Sequence, residues 1–191
     1  MRYPSDQKQQ TSERILTAAS ALFRSRGYEA TGIDAVMASA GLTAGAFYAH
    51  FRSKEDLLAK SLDSAFCKSG KSWTNRLANA KGLEWVRRFA GAYLSKEHRD
   101  NPDLGCPMPA LAPEIGRIGG TSRKVFEQYL RGLIAIVGAE TGRDQAIPAI
   151  ALCVGGLMLS RAVDDLKLSD KILRACRDAV VEHSAQLQEP S

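Results

Sequence analysis

Two polar aromatic residues, Tyr48 and His50, stand in a short stretch that is otherwise small and nearly uncharged, 41-GLTAGAFYAHF-51. Either side chain can donate hydrogen bonds or take part in proton transfer. An enzyme could use Tyr48 and His50, or His98 and Cys106, as acid, base or nucleophile, yet the three histidines are scattered along the chain. The sequence also has no glycine-rich phosphate loop and no carboxylate pair at a useful spacing. We therefore do not expect an enzyme, and hydrogen bonding to phosphate oxygens suits Tyr48 and His50 best.

The composition is that of a globular protein: of 191 residues, 45% are hydrophobic and 25% charged. The formal net charge of +5 suits an anionic partner such as nucleic acid, although many proteins without such a partner share it. The cysteines are not spaced as a metal site or a redox pair, so we expect buried thiols in a reducing cytosol, no metal and no cofactor: Cys67, Cys106, Cys153 and Cys176. The N-terminus does not resemble a signal peptide, and no apolar run is long enough to span a membrane, so we expect a cytoplasmic protein.

Apolar residues recur at helical spacing along the chain, and no stretch alternates as a strand would. We therefore expect an all-α fold. The first helix is predicted over Ser12–Arg26 and ends at Gly27. A second, short helix is predicted to be capped by Thr31 and to end at Gly41, and a third short helix ends near His50.

A long fourth helix is predicted to begin at Ser53, with Asp56 three residues later in a capping arrangement. The segment RDNPDLGCPMPALAPE holds four prolines and must be loop or broken helix at its start. Further helices are predicted over Leu83–His98, Thr121–Glu140, Asp144–Asp165 and Ser169–Leu187. This layout favours an N-terminal helix-turn-helix unit of three helices, residues 1–55, followed by a larger helical domain, residues 56–191.

Two short helices joined by a glycine turn are typical of a helix-turn-helix arrangement. The apolar side chains that would lock this pair onto the first helix are Ile33, Val36, Ala40, Leu42 and Phe47. The outward face of the third helix would then be small, with Thr43, Ala44, Gly45, Ala46, Tyr48 and Ala49. Small side chains allow a helix to approach bases closely in a major groove, which would explain a glycine that costs about 1 kcal/mol of helix propensity. Plain core packing is the alternative interpretation of such a pattern.

The residues from about Glu13 to Leu62 resemble the DNA-binding region of the TetR family of transcriptional regulators. The matching stretch is RILTAASALFRSRGYEATGIDAVMASAGLTAGAFYAHFRSKEDLLAKSL, in which Val36 and Met37 replace the usual Ile-Ala pair. The resemblance implies an all-helical homodimer that binds a double-stranded DNA operator. It also implies DNA contacts by Thr31, Thr43, Ala44, Gly45, Ala46, Tyr48, Ala49, His50 and Lys54. Among these, Thr31, Tyr48 and Lys54 would contact phosphates, and Thr43 to Ala46 would face base edges.

The resemblance further implies that the C-terminal helices bind a small-molecule effector and form the dimer. The candidate ligand-binding residues are Trp85, Phe89, Tyr93, Cys106, Met108, Phe126 and Tyr129. The last two helices are the predicted dimer surface, with the small residues Gly155, Gly156 and Ser160 and the apolar residues Leu152, Leu159, Val163, Leu173, Val180 and Leu187. In both cases the alternative is that these residues form the core of one chain.

The function that follows is a sequence-specific DNA-binding transcriptional regulator, a repressor released from its operator by a small-molecule effector. A helical DNA-binding or partner-binding protein without an effector is the alternative that the sequence leaves open.

Overall fold

The computed structural model describes residues 5–185, and among these residues only helices and their connections occur, as an all-α fold requires. One 3₁₀ helix, Ala44–Ala49, lies among the α-helices. The α-helices are α1 Ser5–Arg26, α2 Ile33–Ser39, α3 Lys54–Leu77, α4 Gly82–Tyr93, α5 Lys96–Asp100, α6 Met108–Ile118, α7 Gly120–Thr141, α8 Arg143–Arg161 and α9 Leu166–Ala185. Leu187, at the end of the last predicted helix, lies outside the described residues. No helix within residues 5–185 combines the length and apolarity that a membrane crossing requires.

Local chemistry explains where the N-terminal helices begin and end. Gly27 and Gly41 follow α1 and α2 with φ of +86° and +68°, a conformation that strongly favours glycine, so both predicted helix ends are confirmed. Ser53 caps α3 by accepting a hydrogen bond from the Asp56 backbone N–H at 3.0 Å, as predicted. The Asp56 carboxylate in turn accepts one from the Arg52 N–H at 3.0 Å. Both ends of this capping arrangement are therefore satisfied.

Thr31 does not cap α2, and that prediction is wrong. The residue before the helix is Gly32, which provides no side-chain cap. The Thr31 hydroxyl instead donates to the Gly27 carbonyl oxygen at 2.7 Å, back toward α1. A threonine hydroxyl readily hydrogen-bonds to a nearby backbone carbonyl oxygen, and here that bond forms instead of the predicted helix cap.

Two other predicted boundaries differ from the structure. Helix α1 begins at Ser5 rather than Ser12, because the polar residues before Ser12 include no helix breaker and make their own contacts within the helix. The predicted helix Leu83–His98 is interrupted after Tyr93. Ser95 caps the new helix α5 there by accepting from the His98 backbone N–H at 3.1 Å.

The helices pack into two compact units. The first unit contains Met1–Lys68 and Pro102–Glu127, and the second contains Ser69–Asn101 and Gln128–Ser191. The predicted division between residues 55 and 56 concerns which segment binds DNA and which binds an effector, and it stays a prediction. The largest fully buried side chains of the first unit are Ile15, Phe23, Met37, Phe47, Phe51, Leu57, Leu58, Leu62 and Met108.

Within the second unit, helices α8 and α9 pack closely at Gly156. A Cβ atom at this position would lie 2.7 Å from the Cys176 Sγ atom and 2.8 Å from its Cβ atom. The small residue therefore serves packing inside one chain. The same holds for other residues predicted to contact a second copy, since Ser160, Leu173 and Val180 are buried within the unit. Helical periodicity identified their apolar face correctly but assigned it to the wrong partner.

Candidate nucleic-acid interface

The turn between α2 and the 3₁₀ helix is built from backbone hydrogen bonds around Gly41. The Gly41 N–H bonds to the Ala38 oxygen and the Leu42 N–H to the Met37 oxygen, both at 2.9 Å. This is the pairing of a Schellman motif, which requires the positive φ of Gly41. Arg14 of α1 secures the same turn, because its Nη2 atom donates to the Ala40 carbonyl oxygen at 2.6 Å.

Two phenylalanines anchor the 3₁₀ helix from behind. Phe47 and Phe51 are 0% and 2% exposed, and their rings stack with centroids 5.8 Å apart. The backbone N–H groups of His50 and Phe51 both bond to the Phe47 oxygen, at 2.9 and 3.0 Å. The ring of Tyr48 meets Phe47 edge-on and is 73% exposed, so it projects away from the core.

An exposed and uncharged face results, which we call the reading face: Thr43, Ala44, Gly45, Tyr48 and Ala49. Ala46 and His50 are half-buried at its margin. Because a 3₁₀ helix has three residues per turn, Gly45 and Tyr48 lie one above the other. No heavy atom lies within 4 Å of the place where a Cβ of Gly45 would stand, so the face is open there. The structure thus brings together the small residues and the tyrosine that the sequence singled out.

His50 lies at the margin of this face, and Lys54 begins the next helix, α3. Burial lowers the pKa of His50, and the positive charge of Lys8 lowers it further, so the imidazole is neutral at pH 7. The Lys54 ammonium lies 4.2 Å from the centre of the Tyr28 ring. It also makes a long contact of 3.5 Å with the Glu29 carbonyl oxygen. Lys54 is therefore held over the loop between α1 and α2.

Thr31 lies apart from the reading face. It is 1% exposed, and its hydroxyl bonds to the backbone oxygens of Gly27 and Leu22 at 2.7 and 3.4 Å. The hydroxyl stabilises the loop after α1 and does not face solvent. Because its one hydrogen is donated to the Gly27 carbonyl oxygen, this hydroxyl has none left to donate to a phosphate.

The candidate ligand-binding residues divide between the two units. Trp85, Phe89 and Tyr93 of α4 lie in the second unit, where Trp85 and Phe89 stack at 5.0 Å and Phe89 and Tyr93 lie 5.7 Å apart. All three are at most 7% exposed. Tyr129 belongs to the same unit and is half-buried.

The remaining candidates lie in the first unit. Cys106 and Met108 are buried, and half-buried Phe126 meets Phe66 at 6.2 Å between ring centroids. Arg24 of α1 lies beside this segment, and its Nη1 atom donates to the Gly105 carbonyl oxygen at 2.6 Å.

Arg24 is a neighbour of Cys106 that sequence reasoning missed. Burial lowers the pKa of Arg24, while charge interactions with Asp103 and Cys106 oppose that change. No basic residue stands near Cys106 along the sequence, and only the fold brings the Arg24 guanidinium to it. Among the described residues, no cluster of histidine, cysteine and acidic side chains could hold a metal ion.

The helix-turn-helix region matches a known family. The family model described as "Bacterial regulatory proteins, tetR family" matches residues 15–60, which include α2, the Gly41 turn and the reading face. The chain thus carries, over residues 15–60, the DNA-binding region of the TetR family. It is accordingly a DNA-binding transcriptional regulator with an N-terminal helix-turn-helix, as the sequence predicted.

Relatives of this protein share most of its length. An HTH-type transcriptional regulator from the lacX 3′ region of Lactococcus lactis is 27% identical over 174 residues, covering 83% of this chain and 87% of the relative. The HTH-type transcriptional repressor NemR of Escherichia coli K12 is 25% identical over 138 residues, covering 70% and 69%. A crystal structure of a TetR transcriptional regulator from Chloroflexus aurantiacus shares the fold, with a TM-score of 0.81, 24% identity and coverage of 95% and 97%.

Proposed function

We propose that this TetR-family protein is a dimeric repressor, that it binds a double-stranded operator through the reading face, and that a small-molecule effector releases it. The observation that carries the DNA-binding part is the exposed, uncharged reading face, fixed from behind by Phe47 and Phe51. A protein with this task works where chromosomal DNA is, so we infer a cytoplasmic location.

The chemistry of the reading face suits a major groove. Open space at Gly45 allows the backbone to approach base edges. Thr43 can hydrogen-bond to a base, and the methyl groups of Ala44 and Ala46 can pack against a thymine methyl. Ala49 extends the same small surface. These contacts would supply sequence preference.

Phosphate contacts would fix the orientation of the protein on the duplex. Tyr48 is exposed and projects a hydroxyl from the reading face, and Lys54 offers an ammonium beside it. The neutral imidazole of His50 can donate one hydrogen bond. Such contacts are independent of sequence and weaken with salt.

Dimerisation through the last two helices is supported by an apolar stripe on α8. Ile147, Met158 and Leu159 are 61%, 42% and 54% exposed in the single chain. Ile147, Ala151 and Met158 follow one another at helical spacing, so they share a face. Gly155 lies on that face with open space around it, which would let a second helix approach.

Repression and effector release rest on relatives and on the aromatic cluster of the second unit. NemR and DhaR, from Escherichia coli and a Mycobacterium species, are both named transcriptional repressors. The buried rings of Trp85, Phe89 and Tyr93, with Tyr129, could rearrange to line an apolar effector site. Cys106, Met108 and Phe126 form the second group of candidates.

A gel-shift experiment with the DNA upstream of the protein's own coding region tests the interface. We expect wild-type protein to shift this DNA, and Tyr48→Ala and Lys54→Ala to shift it only at higher protein concentration. Lys71→Ala is the matched control, because Lys71 is an exposed lysine of α3 outside the first unit. Binding unchanged in both Tyr48→Ala and Lys54→Ala would rule out the reading face as the DNA-binding surface.

Two further measurements test the dimer and the effector. Leu159→Glu should shift the molar mass in solution from dimer to monomer, because it places a charge in the apolar stripe. A thermal-shift screen with small apolar and aromatic molecules should yield compounds that raise the melting temperature, as ligands of the folded state do. A screen without such compounds would favour a DNA-binding protein that has no small-molecule effector.

A further inference from the structure

The loop after α1 is held from α6 by a single carboxylate. Both oxygens of Glu114 accept from the Tyr28 backbone N–H, at 3.1 and 2.9 Å, and Oε1 also lies 3.4 Å from the Glu29 N–H. A Cβ at Gly27 would stand 3.2 Å from Glu114 Oε1, so the carboxylate fits closely against this bend. Hydrogen bonds to an ionised acceptor are stronger than hydrogen bonds between neutral groups, and here they fix the position of the Tyr28 backbone.

The Tyr28 ring extends this connection to the candidate interface. It packs against Phe23 with centroids 5.5 Å apart, and the Lys54 ammonium stands 4.2 Å from its centre. We propose that Tyr28 and Glu114 are positioning residues for the phosphate contact of Lys54: Glu114 fixes Tyr28, and the Tyr28 ring holds the Lys54 ammonium in place. This inference rests on the proposed DNA contact of Lys54.

The physical reason lies in the flexibility of lysine. A lysine side chain is long and rotamer-rich, and it loses this freedom when it binds a phosphate. A ring face that already attracts the ammonium removes part of that cost before DNA arrives. The Lys54 ammonium has three donors, and its hydrogen bond to the Glu29 backbone carbonyl oxygen is long, so it keeps donors for a phosphate oxygen.

The sign of the Glu114 effect separates positioning from simple charge. A carboxylate near DNA repels phosphates, so its removal would strengthen binding if charge alone mattered. Positioning by Glu114 predicts the reverse, because Glu114→Ala frees the backbone of Tyr28. Glu29→Gln provides the matched control, since it removes a neighbouring exposed carboxylate whose side chain takes no part in holding Tyr28.

The experiment measures DNA affinity by fluorescence anisotropy over a series of salt concentrations, with a duplex that wild-type protein selects from a random library. The logarithm of affinity falls linearly with the logarithm of salt concentration, and Lys54→Ala should make this slope less negative by about 0.9 for each phosphate that the variant no longer neutralises. Tyr28→Leu and Glu114→Ala should weaken DNA binding about two- to fivefold, which is the contribution of an exposed cation–π contact. Both variants should also make the salt slope less steep. Tyr28→Phe keeps the ring and should bind as wild type does, and Glu29→Gln should bind as well or better.

Double variants decide whether Tyr28 and Glu114 act through Lys54. Tyr28→Leu and Glu114→Ala should each add no further loss of affinity to Lys54→Ala. Additive losses of affinity, or tighter binding by Glu114→Ala, would overturn the inference while leaving the DNA contact of Lys54 in place. A Lys54→Ala variant with wild-type affinity and slope would instead refute that contact, and the inference with it. If circular dichroism shows that Tyr28→Leu is unfolded, the pair of Glu114→Ala and Lys54→Ala decides alone.

Discussion

Alanine at Gly41 and alanine at Gly45 should have opposite effects, although the two glycines stand only four residues apart. Gly41 has φ of +68°, where any Cβ is strained, and its Cβ would stand 3.0 Å from the Arg14 Nη2 atom. Gly45 lies in the 3₁₀ helix, and a Cβ there would meet no protein atom within 4 Å. Gly41 therefore serves the fold, and we propose that the open space at Gly45 is left for the DNA.

The magnitudes follow from these surroundings. Left-handed backbone costs a residue with a side chain about 1–2 kcal/mol. Arg14 must also shift from the Ala40 carbonyl oxygen that it now bonds at 2.6 Å, and bonds to charged groups contribute about 1.5–3 kcal/mol. Because the arginine tip can retain part of that bond, Gly41→Ala should destabilise the first unit by about 2–4 kcal/mol. The melting temperature should fall by about 4–16 °C.

Gly45→Ala should leave the melting temperature unchanged or raise it, since alanine favours helix over glycine by up to about 1 kcal/mol. Its methyl group would occupy the space that we assign to the DNA. Overpacking costs about 1–3 kcal/mol, so affinity for a selected duplex should fall about 5- to 150-fold.

Thermal melts and anisotropy titrations of the two variants, side by side with wild type, check both halves. A Gly41→Ala variant as stable as wild type would refute the structural role of the turn glycine. A Gly45→Ala variant with wild-type DNA affinity would refute the close approach at the reading face.

The remaining predictions concern helix packing and pH. Gly156→Ala should destabilise the second unit by about 1–3 kcal/mol in urea denaturation, because the new Cβ meets the Cys176 Cβ at 2.8 Å; wild-type stability would contradict this packing. Gly155→Ala should leave monomer stability unchanged or raise it, since alanine favours helix, and should weaken the dimer in sedimentation experiments; an unchanged dimer would move the interface elsewhere. Burial alone would raise the pKa of Asp56, but hydrogen bonds from the Arg52 N–H and from Lys60 outweigh it and lower that pKa. The stability that Asp56 contributes is therefore present above its unfolded pKa of about 3.9 and is lost as pH falls through the lower folded value. Asp56→Asn should flatten this part of a melting-temperature profile, and a profile equal to that of wild type would refute it.

The sequence predicted best those features that depend on a few neighbouring residues. The helix ends at Gly27 and Gly41 follow from the φ values that glycine tolerates, and the Ser53 cap follows from a three-residue spacing. Thr31 satisfied the same spacing rule and failed, because the Gly27 carbonyl oxygen was a closer partner for its hydroxyl. A capping pattern states which bond is possible, and the surrounding backbone decides which one forms.

Features that join distant segments could not be predicted from local patterns. Nothing around Glu114 indicates that it holds the loop at Tyr28, and nothing around Cys106 indicates Arg24. Helical periodicity likewise marked Leu173 as apolar without showing that the same chain would bury it. The reading face was the exception. Its unusual residue types stand close together in the sequence, so it could be recognised without knowing any distant contact.

Parallel DNA selection with wild-type protein and a Tyr48→Ala/Lys54→Ala double variant tests the central claim most directly. From a library of random-sequence duplexes, wild type should enrich a two-fold symmetric sequence whose half-sites lie about 10 base pairs, or a multiple of that, apart. The double variant lacks two of the side chains proposed to bind phosphates, including the charged one, and should enrich no sequence at the same protein concentration. A wild-type protein that enriches nothing, or a double variant that enriches the same sequence equally well, would contradict DNA binding through the reading face.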